Sequence, residues 1–81
     1  AFLMQQMEWR EALEDADSAP DVQALSDEVL AQRKARLARV TQLLDVDAKP
    51  AEAALEVRAL MFIDRLLEEI DARLEHYEDA S

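Results

Sequence analysis

The sequence predicts an all-α fold, an antiparallel three-helix bundle. Three observations carry that expectation. Ala, Leu and the acids dominate the 81 residues and glycine is absent, a helix-forming composition that argues against strands. Apolar residues recur at three- and four-residue steps, the helical period. The two prolines, Pro20 and Pro50, each follow a short polar break, where a helix start tolerates proline. The breaks divide the chain into helices of about 1–17, 20–45 and 50–78. Both connections are short, so consecutive helices are expected to run antiparallel.

The first helix carries two different faces. Phe2, Trp9, Ala12, Leu13 and Ala16 share one side and make a sufficient core stripe. Leu3, Met4 and Met7 point the other way, onto the face that bears Glu8, Glu11 and Asp15. Apolar residues opposite a core stripe have no partner inside a three-helix bundle. They form either a docking surface with a flexible centre and an acidic rim, or a contact covered by another part of the protein or a second copy.

The second helix begins at a Ser18 cap followed by Pro20. It presents Val22, Leu25, Val29, Leu37, Val40, Leu43 and Leu44 on one side, with Arg33 and Arg36 in the same arc. Two readings of these arginines exist. One is an anion or nucleic-acid contact; the other lays their stems along the bundle and pairs the guanidinium groups with carboxylates of a neighbouring helix. A chain with 19 acids and net charge −10 supplies such carboxylates itself, which favours the second.

In the third helix Leu55, Ala59, Leu66, Ile70, Leu74 and Tyr77 make a stripe that Leu60, Ile63 and Leu67 widen to about 160°, an arc for two neighbours rather than one. Phe62 falls at one margin, a place more often core than surface, though the margin leaves a surface role open. Met61 lies outside. The expected core is Trp9, Leu13, Val29, Leu37, Val40, Leu55, Leu66 and Ile70. Arg10–Glu14 and Glu69–Arg73 have the spacing of ordinary surface pairs along one helix.

Several chemistries are excluded. Without cysteine there are no disulfides, thiol nucleophiles or Cys-ligated metal clusters. Without glycine there is no phosphate-cradling loop. The lone histidine, His76, sits between Glu75 and Tyr77 and has no nucleophile placed against it. Paired Glu-x-x-His motifs of di-iron bundles are missing, since Arg73 stands three residues before His76. The acidic balance also disfavours the cationic pocket of a helical chorismate mutase. No enzyme, cofactor or metal is therefore expected. The same charge repels nucleic acid and anionic membranes, and no apolar run approaches the about 20 residues that span a bilayer. With no targeting segment, the cytoplasm is the expected location. The chain starts at Ala1 inside a helical pattern, without an initiator Met, and so reads as a piece of a longer protein.

The stretch Ala1-Phe2-Leu3-Met4-Gln5-Gln6-Met7-Glu8-Trp9-Arg10-Glu11-Ala12-Leu13 resembles the start of the C-terminal domain of the HscB family, J-type co-chaperones of iron–sulfur cluster assembly. Val57-Arg58-Ala59-Leu60-Met61-Phe62-Ile63-Asp64-Arg65-Leu66 is similar to the same family's last helix. The resemblance runs from Ala1 to about Tyr77. It implies a three-helix bundle that holds the scaffold protein IscU, for delivery to the chaperone ATPase HscA, which the family's J domain stimulates. It also implies partner contacts at Leu3, Met4, Met7 and Phe62, with acidic contacts at Glu8, Glu11 and Asp15. These fall on the first-helix face that periodicity leaves unpartnered. Met7 replaces a familiar Leu, Trp9 a smaller apolar residue and Asp15 a longer Glu, and the connection between the second and third helices aligns poorly. No His-Pro-Asp tripeptide occurs, so the J-domain activity is not expected of these residues. The competing expectation is a structural oligomerisation domain whose Leu3/Met4/Met7 face pairs with its own copy. A monomer or weak self-association is expected, because that pairing would oppose like charges.

Overall fold

The computed structural model describes residues 2–80, which form three α-helices and no strand: α1 (Phe2–Asp15), α2 (Ala19–Asp45) and α3 (Pro50–Ala80). Ala1, where the first helix was expected to begin, lies outside the described residues. The fold is the all-α helical bundle anticipated from periodicity. Ser18 caps α2 from an extended backbone (φ −146°, ψ 157°), and its hydroxyl accepts the Asp21 N–H at 3.3 Å. This satisfies one of the free donors of the first turn.

The connection after α2 turns without glycine. Val46 and Asp47 donate their N–H groups to the Gln42 carbonyl, both at 3.0 Å, and Lys49 donates to the Leu43 carbonyl at 2.7 Å. Ala48 takes the left-handed conformation, φ 51°, which costs a residue with a Cβ about 1–2 kcal/mol.

One cluster of buried residues draws on all three helices: Trp9, Leu13 and Ala16 with Val22, Leu25 and Val29, and with Ile63, Leu66 and Ile70. Phe2, Leu67, Leu74 and Tyr77 pack against its edges. The molecule is elongated, 49 × 21 × 15 Å. With 14 residues, α1 spans about 21 Å, less than half the about 46 Å of the 31-residue α3. Phe2 lies under Arg36, and the Ala16 carbonyl meets Arg73. The region beyond Arg36 on α2, and before about residue 56 on α3, is thus a two-helix hairpin.

This corrects the expected core. Leu37 and Leu55 are exposed, at 41% and 63%, and Val40 is only partly buried. Both leucines belong to the stretch that α1 is too short to cover. There Leu43 and Ala53 are buried, while Leu44 is exposed. Ala12, assigned to the core stripe of the first helix, is also exposed.

Candidate functional site: an apolar seam between the first and third helices

Trp9 and Leu13 anchor the inner side of α1, and Phe2 meets Trp9 edge-on with ring centres 6.2 Å apart. Fixing that side turns the opposite one to solvent. Leu3, Met4 and Met7 are 66%, 63% and 58% exposed. Single exposed leucines need no explanation, but three within two turns form a patch. Glu8, Glu11 and Asp15 are exposed on the same helix and make no ion pair among the described residues.

Phe62 resolves to the surface, at 44% exposure, and not to the core that its marginal position favoured. It borders a narrow cleft between α1 and α3 with Phe2, Gln6 and Arg10 on the α1 side and Ile63 beneath. A helix turns about 100° per residue, which puts Leu3 and Met7 on the flank of α1 next to this cleft and Met4, Glu8 and Asp15 further out. The cleft itself is lined by Phe2, Gln6, Trp9 and Arg10 of α1 and by Phe62, Ile63 and Leu66 of α3, whereas Met4 and Glu8 border Arg36 of α2 together with Phe2 and Gln5.

Cross-helix pairs hold the seam in register. Arg10 Nη1 donates to Glu69 Oε2 at 3.1 Å, and Arg73 Nη2 donates to the Ala16 carbonyl at 3.2 Å, serving the C-terminal end of α1. These replace the pairs expected along single helices, Arg10–Glu14 and Glu69–Arg73. The flanks of α1 and α3 face each other, so the acceptor on the neighbouring helix captures each arginine. Arg33 and Arg36 of α2 follow the intramolecular reading. Arg33 Nε donates to Asp64 Oδ1 at 2.8 Å and Arg36 Nη1 to Glu56 Oε2 at 2.9 Å.

Arg36 was missed as a support of the seam. Its guanidinium carbon lies 4.2 Å from the centre of the Phe2 ring, a cation–π contact of about 0.5–2 kcal/mol. Its Nε is buried without a hydrogen-bond partner among the described residues. The signal was present: Arg36 falls inside the apolar arc of its helix, opposite an aromatic at the start of the first.

Among the described residues no group of three or more His, Asp or Glu is placed to hold a metal ion. No described helix is long and apolar enough to cross a membrane.

The three-helix bundle thus carries exposed large apolar side chains, with exposed carboxylates on the same helix. The model of the HscB C-terminal oligomerisation domain matches residues 1–71, and the chain belongs to this co-chaperone family as its C-terminal domain. Similar curated proteins carry the name co-chaperone protein HscB homolog. Those of Burkholderia thailandensis and Burkholderia multivorans are 51% and 52% identical to the chain, each alignment covering 96% of it and 46% of the relative. The relative from Burkholderia vietnamiensis is 50% identical over the same shares. The chain therefore spans about half the length of the curated relatives it matches. No solved structure matches it.

Proposed function

We propose that this domain binds the iron–sulfur cluster scaffold protein IscU and holds it for delivery to an HscA-type chaperone ATPase in the cytoplasm. The observation that carries the reading is the seam itself. Leu3, Met4, Met7 and Phe62 are large, apolar and exposed, and they stand on adjoining helices that other residues keep rigid. Membership of the HscB co-chaperone family supports a chaperone-system partner. The apolar group supplies the binding energy by leaving water, and a central few side chains carry most of it. Glu8, Glu11 and Asp15, in high dielectric at the rim, raise the association rate and set orientation. Contact with the chaperone, and stimulation of its ATPase, belong to a J domain outside these 81 residues, which contain no His-Pro-Asp tripeptide.

Calorimetric titration of purified IscU into the domain tests this. Replacing Leu3, Met4 and Phe62 by Ala together weakens binding by about tenfold or more, with helicity and melting temperature monitored alongside. A folded triple variant that binds at the parent affinity contradicts the reading. The Glu8→Gln/Glu11→Gln variant loses less, and its loss shrinks as salt rises.

The family's description as an oligomerisation domain favours a second reading, in which the seam pairs with its own copy. Such pairing brings the unpaired Glu8, Glu11 and Asp15 of two copies together, which opposes it. The solution mass of the domain with and without IscU separates the two readings.

A further inference from the structure

The acidic rim accounts for only one side of the seam. Across it, on α3, Arg58, Met61, Phe62 and Arg65 line one shallow depression, and Arg58 and Phe62 continue from it toward Phe2. Their spacing of three, four and seven residues makes a single stripe with a guanidinium at each end and an exposed Met–Phe pair between. The other arginines near the bundle core, Arg10, Arg33, Arg36 and Arg73, are each held by a neighbouring helix. Among the described residues neither Arg58 nor Arg65 has an ion-pair or hydrogen-bond partner for its guanidinium.

Their freedom follows from their surroundings. Residues three and four positions from Arg58 are Ala54, Leu55, Met61 and Phe62, none of them acidic. Upstream of Arg65 stand the same Met61 and Phe62; downstream, Glu69 is taken by Arg10, and exposed Glu68 makes no pair with it. In a chain of net charge −10, two arginines flanking an apolar pair are thus left with their donors unspent. A guanidinium beside an exposed aromatic suits a carboxylate, which its planar fork binds with two parallel hydrogen bonds.

We propose that the docking surface is bipolar, and that Arg58 and Arg65 are specificity-determining residues for a carboxylate on the docked partner. This rests on the docking reading above and adds the partner's chemistry. The partner presents an apolar side chain to the Met61–Phe62 depression, an Asp or Glu carboxylate to the arginines, and basic or neutral groups toward Glu8, Glu11 and Asp15. Such an arrangement fixes which way round the partner lies, because reversing it sets like charges together on both flanks.

The test is titration of purified IscU into four forms of the chain: parent, Arg58→Glu/Arg65→Glu, Arg58→Lys/Arg65→Lys, and Lys34→Glu/Arg39→Glu. Lys34 and Arg39 are exposed and unpaired on α2, so the last variant matches the net charge of the first with the stripe intact. Expected are a loss of about tenfold or more for the reversed stripe, a smaller loss for the lysine pair, which keeps the charge but not the planar fork, and parent-like binding for the α2 variant. Since all four positions are exposed, circular dichroism should report parent helicity throughout. Parent affinity in the reversed stripe, or an equal loss in the α2 variant, overturns the proposal. A Leu3→Ala/Met7→Ala arm keeps the two readings apart. If that variant loses binding while the reversed stripe keeps it, the bipolar surface fails and the docking surface stands; if that variant binds like the parent, the docking reading itself fails.

Discussion

The two ends of the molecule use the same residue types to different effect. Where α1 is present, Leu66 and Ile70 of α3 are 4% and 0% exposed. Where α1 does not reach, Leu55 of the same helix is 63% exposed and Leu37 of α2 41%. All four lie on the apolar arcs of their helices. Burial in this bundle is therefore decided by whether a third helix extends far enough, and a stripe on one helix says only which direction burial would take. The same contrast yields two kinds of exposed apolar surface: the seam, backed by a three-helix core, and the hairpin, backed by one partner helix.

The largest expected effect separates the ends directly. Leu66→Ala removes a buried side chain and leaves a cavity, which costs about 2–5 kcal/mol and threatens the whole of a domain this small. Leu55→Ala changes stability by about 0.5 kcal/mol or less. Urea melts followed by circular dichroism give both values, and equal costs would mean that α1 does not define the difference.

A smaller effect is expected where the two regions meet. Arg36 joins Phe2 at the start of α1 to Glu56 of α3, with side chains of the ion pair only 19% and 24% exposed. Arg36→Ala is expected to cost about 1–2 kcal/mol through the lost ring contact and the lost hydrogen bond. Arg10→Ala breaks a pair whose members are each 49% exposed, and solvent screening limits that cost to about 0.2–1 kcal/mol. Thermal melts of the two variants should rank them in that order.

How much of this was legible in the sequence depended on the length scale of the signal. Helix type, order and the Ser18 cap are local, and three-and-four spacing or a single hydroxyl suffices to read them. The outward turn of Leu3, Met4 and Met7 was readable for a related reason: Trp9 and Leu13 fill the inner side of the same helix, which leaves these three nowhere else to point. Phe62 was not settled by period, because a marginal residue goes to core or surface according to how closely the neighbouring helix approaches. The exposure of Leu37 and Leu55 and the Arg10–Glu69 pair were missed because they depend on how far α1 runs along α3, and no spacing within one helix encodes that.

An effect of opposite sign is expected at the hairpin tip. Ala48 holds a left-handed backbone that glycine adopts without steric cost. Ala48→Gly is expected to stabilise the domain by about 0.5–1 kcal/mol, as the relief of strain outweighs the added freedom of the unfolded chain. A raised urea midpoint with an unchanged slope is the expected result; a lowered midpoint would mean that the backbone there is unstrained.

The two exposed apolar surfaces also allow the most direct test of the central claim, that the α1–α3 seam is where the scaffold docks. Amide resonances of the ¹⁵N-labelled domain, followed by NMR during addition of unlabelled IscU, report on both surfaces in one experiment. The account predicts shifts or broadening concentrated at Leu3, Met4, Met7, Glu8, Glu11 and Phe62, with Leu37 and Leu44 of the hairpin unchanged. Perturbation centred on those hairpin leucines, with the seam silent, would contradict it.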